Sequence, residues 1–216
     1  AEREDGIPVW NEPMKAKVIT ITREFGSGGR TIGKRTAEKL GYDFYDWNLV
    51  TEIAKESGFA PSFVEENLED AQNYVPWLFS LQSAGNDLSD QLFAAQRKVI
   101  LDLAEKGNCV IVGRCADYIL RKRSDTLSCF VWAHKEAKKK RIVEEYGETE
   151  VKIDKRMKDK DKKRKAHYEY YTSRKWGKAF YYDLCLDSGI LGIENCVSTI
   201  VSLAENFPGI QRENED

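Results

Sequence analysis

One junction governs what this chain can fold into: KVITIT at 17–22, REFGSGG at 23–29, then RTIGKRTAEKL at 30–40. The first segment is short, β-branched and apolar, as a strand buried on both faces requires. The last carries Ile32, Thr36, Ala37 and Leu40 at helical spacing and stops at Gly41, the residue type that best closes a helix. Gly26, Gly28 and Gly29 crowd the turn between them. A strand, a Gly-rich turn and a helix make an anion site, because turn N–H groups and the positive helix end face the same place.

Three readings of the turn compete. The phosphate-loop pattern GxxxxGK[ST] has one literal near-match, Gly28 followed by Gly33-Lys34-Arg35. That alignment pushes the turn into the helix and puts Arg35 where a metal-binding hydroxyl belongs. The preferred alignment ends the loop at Gly28. Gly29 then stands in the lysine's place, Arg30 follows, and Thr31 is the nearest hydroxyl for a metal. A dinucleotide fingerprint is the second reading: Gly26-Ser27-Gly28-Gly29-Arg30-Thr31 lacks its third glycine, although Asp46 lies at a suitable distance for a ribose contact. A purely structural turn is the third. The preferred reading is a mononucleotide-type phosphate loop.

Further strands are expected at 43–46, 109–112, 127–132 and 182–186. Helical patterns occupy 48–55, 61–70, a face at Leu92, Gln96, Val99, Ile100 and Leu103 stopped by Gly107, and 192–206. Residues 74–90, with the aromatic run YVPWLF at 74–79, read as a loop or arm whose apolar side chains suit an acceptor pocket or an oligomer contact. Strands alternating with helices imply a parallel sheet covered on both faces, with its ligand crevice at the carboxyl ends of the strands. Arg114, directly after Gly113, falls at such an end. Asp46 falls at another, where it serves either the site or the cap of the next helix.

A charged segment at 135–178 precedes the last strand. Its KKKR at 138–141 is expected to face solvent. Farther on, Lys160, Asp161 and Arg164 share one helical face, which suits either a closing phosphate clamp, with Arg156 beside it, or a solvated helix with internal ion pairs. His167 reads as a packing or surface residue, not a general base, and Trp132 and Trp176 as packing or shielding residues.

Composition removes other classes. The chain has 216 residues and 41% hydrophobic content, enough for one sizeable core. A net charge of -2 and the absence of a recognition motif argue against nucleic acid, despite Tyr168, Tyr170 and Tyr171 beside the basic run. No apolar run approaches the ~18 residues of a membrane span. Residues 1–15 are polar and acidic, and are expected to form a loosely held tail, not a signal peptide. Five cysteines, none in CxxC spacing, read as reduced thiols of a cytoplasmic protein, and two histidines leave little for a zinc site.

Four stretches in order carry a family resemblance: ITITREFGSGGRTIGKRTAEKLGYDFYD, CVIVGRCADYIL, KDKDKKR and YDLCLDSGILGIE. Together they resemble the bacterial cytidylate kinases, and more closely the divergent cytidylate kinase-like group with a REFGSGGR-type loop, over about 17–204. The resemblance implies a P-loop kinase fold: three layers, α/β/α, around a five-stranded parallel sheet of order 2-3-1-4-5. It implies a single domain over 16–207, with a helical acceptor-binding insert at about 47–106, a lid at about 148–178 and a C-terminal tail at 208–216. It further implies phosphoryl transfer from ATP or another nucleoside triphosphate with Mg2+. In that scheme Gly26, Ser27, Gly28, Gly29, Arg30 and Thr31 hold the donor phosphates. Asp46 faces the acceptor, Arg114 binds its phosphate, and Lys160, Asp161 and Arg164 match the charged lid pattern. Two departures stand out: Gly29 replaces the loop lysine, and Cys115 stands where cytidylate kinases have an aspartate, with Asp117 two residues on.

Losing one preorganised charged donor costs about 10²–10³ in rate. Arg30 is the expected substitute, since a guanidinium is always charged and grips two phosphate oxygens. The catalytic set is therefore Arg30, Lys160, Asp161 and Arg164, with Thr31 beside magnesium. The leading reading is a kinase whose acceptor is a nucleoside monophosphate such as CMP. A nucleotide-binding sensor with little turnover and a kinase of a non-nucleotide metabolite are the alternatives; the oligomeric state is left open.

Overall fold

The computed structural model describes residues 14–46, 49–59, 61, 87–147, 149 and 151–209. In chain order the elements are β1 (Val18–Arg23), α1 (Gly29–Leu40), β2 (Asp43–Tyr45), α2 (Leu49–Ser57), α3 (Asp87–Lys106), β3 (Cys109–Val112), α4 (Ala116–Ile119), β4 (Thr126–Trp132), α5 (Lys135–Tyr146), α6 (Ile153–Thr172), a 3-10 turn (Ala179–Tyr181), β5 (Leu184–Asp187) and α7 (Ser188–Glu205).

The strands form one sheet in the order β2-β3-β1-β4-β5, and every pairing is parallel. β1 is central and all six of its residues are buried. Alternation along the strands divides the core in two. Val18, Cys109 and Ile111 pack with Leu49, Ile53, Leu92, Ile100 and Leu120 from α2, α3 and the α4 end. Ile19, Ile21, Val110 and Val112 pack on the other face with Ile32 and Ala37 of α1 and Cys196, Val197 and Ile200 of α7. Two apolar faces on one parallel sheet demand two helical layers, and the α/β/α sandwich follows.

Gly41 closes α1 in a left-handed conformation, φ 68°, as its place in the sequence predicts. Differences lie mainly at element ends. β5 starts at Leu184 rather than 182, and α7 begins at Ser188 rather than 192. The reason is Asp187, whose carboxylate accepts from the N–H groups of Gly189 (2.9 Å) and Ile190 (3.4 Å) and so starts a helix early; Gly192 then kinks it with φ 75°. The loop expected over 74–90 is already helical at 87–90, because α3 starts at Asp87. The 61–70 pattern after its first position and the 74–79 run lie outside the described residues, as do 1–13 and 210–216. Met14 pairs antiparallel with Phe207, and the Ala16 N–H donates to Ala204 O at 2.8 Å, joining the chain before β1 to the end of α7.

Candidate functional site

Parallel strands place their carboxyl ends on one edge. Arg23, Asp46, Arg114 and Ser188 follow or end β1, β2, β3 and β5 there. A cavity of about 360 Å³ opens at this edge. Gly26, Gly28, Gly29, Arg30 and Thr31 line one side of it. Arg23, Glu24 and Phe25 from the β1 end, Asp46, Glu145 of α5, and Lys160 and Arg164 of α6 complete the wall. Four cations and three carboxylates thus face one space.

The turn is held from outside by its carbonyls. Arg141 Nη1 donates to Gly26 O at 2.7 Å, and Ser188 Oγ donates to Ser27 O at 2.5 Å. Ser27 folds back through its own N–H (3.3 Å) and Oγ (2.8 Å) onto Glu24 O. Among the described residues, the N–H groups of Gly26, Gly28, Gly29, Arg30 and Thr31 have no hydrogen-bond acceptor. Gly28 caps α1 with no side-chain bond, so the first-turn donors of the helix are left for something outside the fold. Gly28 has φ 76°, a conformation that favours glycine; a Cβ there would also displace the Ile193 Cδ1 methyl, 2.5 Å away.

The expected site residues separate into groups. Gly26, Gly28, Gly29, Arg30, Thr31, Asp46, Lys160 and Arg164 meet at the cavity. Arg30 and Asp46 bond each other, Nε to Oδ2 at 2.5 Å, with the arginine side chain 61% exposed and the aspartate 10%. Ser27, wholly buried, braces the turn from behind. Asp161 turns to the main chain: its Oδ1 accepts the Phe25 N–H at 2.7 Å, and Lys138 lies 3.7 Å from its Oδ2. Burial pushes the Asp161 pKa up, against the pull of the Phe25 N–H and of Arg164 and Lys138. Arg114 is 1% exposed and is not among the residues that line the cavity; it sits in a left-handed turn with φ 61°, its carbonyl accepting from Gln96 Nε2 at 3.0 Å.

One expectation is overturned. The KKKR run at 138–141 does not face solvent as a block. Lys138 is only 13% exposed and pairs with Glu24 at 2.9 Å, and Arg141 grips Gly26 O; Lys140 alone points well out, at 78%. Positions 138 and 141 are one helical turn apart, which is the signal that the run has an inner face. Sequence reasoning also passed over Phe25, which packs with Ile142 and Met157 and seats α5 and α6 against the turn. Asp117, noted in the sequence only as two residues beyond Cys115, is buried, and its carboxylate accepts from Thr22 Oγ1 at 3.1 Å and Tyr168 Oη at 2.7 Å. His167 is buried against Tyr171, a packing residue as expected. All five cysteines are free thiols, and burial pushes that of Cys109 up to about 12.

The model of the cytidylate kinase-like family matches residues 18–190. The chain belongs to this family. A cytidylate kinase from Archaeoglobus fulgidus is 28% identical over 193 residues, covering 87% of this chain and 94% of that protein. A crystal structure of an uncharacterized protein from Eubacterium ventriosum superposes with TM-score 0.68 at 29% identity, covering 87% of this chain and 98% of that one. Shikimate kinase from Bacteroides thetaiotaomicron shares the fold, with TM-score 0.51 at 16% identity over 87% of this chain and 98% of its own. Sheet order and family together give the P-loop kinase fold, and make this member of the cytidylate kinase-like family a kinase of nucleotides or other small molecules. Among the described residues, no helix is long and apolar enough to cross a membrane.

Proposed function

We propose that this chain transfers a phosphoryl group from ATP to a small acceptor, with CMP the leading acceptor. The observation that carries the reading is the set of N–H groups at Gly26, Gly28, Gly29, Arg30 and Thr31, which line one cavity and find no acceptor among the described residues. Such a set satisfies phosphate oxygens without further rearrangement. Support for CMP comes from the Archaeoglobus fulgidus relative and from the family.

Phosphoryl transfer needs in-line positioning and neutralisation of charge more than covalent chemistry. Main-chain donors fix the donor phosphates. Arg30 and, from α6, Lys160 and Arg164 supply positive charge at the same cavity. Asp46, held by Arg30 at the same cavity, is proposed to face the acceptor. Arg114, at the end of β3, is the proposed contact of the acceptor phosphate, reached when the acceptor enters the edge. Asp161 acts as a positioning residue, fixing the main chain at Phe25. α6 is proposed as part of a lid over 148–178, and 47–106 as the acceptor-binding insert of a single domain.

Magnesium fits as a substrate-borne ion. The described residues hold no cluster of three His, Cys, Asp or Glu groups that would cage it, but Thr31 lines the cavity and its hydroxyl makes no hydrogen bond among the described residues. A magnesium ion carried by the triphosphate would neutralise charge on its β- and γ-oxygens.

A second reading, a nucleotide sensor with little turnover, is favoured by Gly29 in the lysine position. The test is ADP formation with ATP, magnesium and a panel of nucleoside monophosphates and small alcohols. Turnover with CMP or UMP supports the proposal. Tight ATP binding with acceptor-independent traces of ADP supports the sensor, and turnover only with an alcohol moves the acceptor to a non-nucleotide metabolite.

A further inference from the structure

The loop carries glycine at position 29, where the phosphate-loop pattern has lysine, and the structure shows what a side chain there would meet. Counted back from Gly28 in GxxxxGK[ST], the first glycine of the pattern falls on Arg23. A Cβ built at Gly29 would lie 2.5 Å from Arg23 Cβ and 3.0 Å from Arg23 Cγ. Both atoms belong to the root of the side chain, so relieving the contact costs a shift of the Arg23 stem or of the main chain. Arg23 is the last residue of β1, in parallel register with Val131, and Gly29 opens α1. Val131 Cβ stands 3.5 Å away on the remaining side. Any side chain at 29 therefore overpacks against the Arg23 stem, and glycine at 23 would remove that contact.

The pair is inverted: glycine then lysine in the pattern, arginine then glycine here. The stem of Arg23 begins within 2.5 Å of the point where a lysine stem would begin. Arg23 is 6% exposed and lines the same cavity as Gly26, Gly28, Gly29 and Arg30. Arg164 reaches the same spot, Nη1 donating to Arg23 O at 3.4 Å. The Arg30 side chain is 61% exposed and pairs with Asp46.

We infer that Arg23, from the end of β1, supplies the fixed positive charge that the loop lysine supplies elsewhere, and binds the donor phosphates. This rests on the phosphotransfer reading above. A guanidinium keeps its charge in a water-poor pocket where an ammonium would lose it, and it reaches two phosphate oxygens at once. Arg30 is then the cation on the acceptor side, tied to Asp46, and not the stand-in for lysine.

A charge-swap series on the full chain tests this. ATP affinity is measured by calorimetry with magnesium, and folding by thermal unfolding, for wild type, Arg23→Met, Arg23→Gly, Gly29→Lys and the double variant Arg23→Gly/Gly29→Lys. Arg23→Met and Arg23→Gly are expected to weaken ATP binding on the order of 10²-fold. Gly29→Lys alone is expected to unfold at lower temperature and to bind no better than Arg23→Met. The double variant is expected to recover affinity to within about 10-fold of wild type, an outcome that a merely structural role for Arg23 would not produce. Wild-type affinity in Arg23→Met, or a double variant no tighter than Arg23→Gly, overturns the inference and leaves the kinase reading standing. If Arg23→Met does not fold, the comparison of Arg23→Gly with the double variant decides. Wild-type protein without affinity for ATP overturns both.

Discussion

At Gly41 φ is +68° and no atom lies within 4 Å of where a Cβ would stand, whereas Gly29 has no such φ but meets Arg23 Cβ at 2.5 Å. Alanine at either place costs stability, by about 1–2 kcal/mol for a left-handed residue and about 1–3 kcal/mol for overpacking. The causes separate in a coupled variant measured by urea denaturation: Arg23→Gly relieves Gly29→Ala and does nothing for Gly41→Ala. Asp117 makes a second residue-level prediction. Burial raises its pKa above the ordinary 3.8, although Tyr168 and Thr22 donate to it. The folded state therefore binds the extra proton in the window above 3.8, and the stability that Asp117 contributes falls as pH rises through that window. The melting temperature of wild type relative to Asp117→Asn should be most favourable at acidic pH and decline toward neutrality; a gap that widens with rising pH contradicts it. Local pattern made the glycines of the turn legible in the sequence. It could not show Arg23 against position 29, because that contact arises only when the strand end and the helix start fold over each other.

α5 and α6 are seated on the turn by small, specific contacts. Phe25, Ile142 and Met157 form a core of their own, Asp161 holds the Phe25 N–H, and Arg141 and Lys138 hold Gly26 and Glu24. Phe25→Ala is expected to cost about 3 kcal/mol and to speed hydrogen exchange through α6 while leaving β1 protected; equal acceleration in both would show that the cluster is not a local seat. Within the KKKR run, Arg141→Ala should weaken ATP binding, because Gly26 loses its restraint, while Lys140→Ala should change stability by no more than about 0.5 kcal/mol. A calorimetric titration of the two side by side checks this. The 138–141 run was read only as charges facing solvent, while the helical spacing of α6 was plain. Which charges turn inward was not, because an inward cation is defined by the carbonyl or carboxylate it reaches on another element, here Gly26 and Glu24 on the turn.

On the scale of the molecule, one parallel sheet with two apolar faces brings five strand ends to a single edge, and the turn after the central strand supplies the donors there. The class of fold was readable because β1, β3 and β4 are continuous apolar runs separated by helical patterns, and the strand order came with the family resemblance. Element ends were less readable: Asp187 starts α7 by capping it, a side-chain event that hydrophobic periodicity does not register. The assembled account says that main-chain groups, and not a loop lysine, are the first contact of the triphosphate. Backbone amide NMR during titration with magnesium and ATP tests this most directly. The account predicts that the largest shifts fall on Gly26, Gly28, Gly29, Arg30 and Thr31. Saturating ATP that leaves those amides unmoved, while signals elsewhere shift, would contradict it.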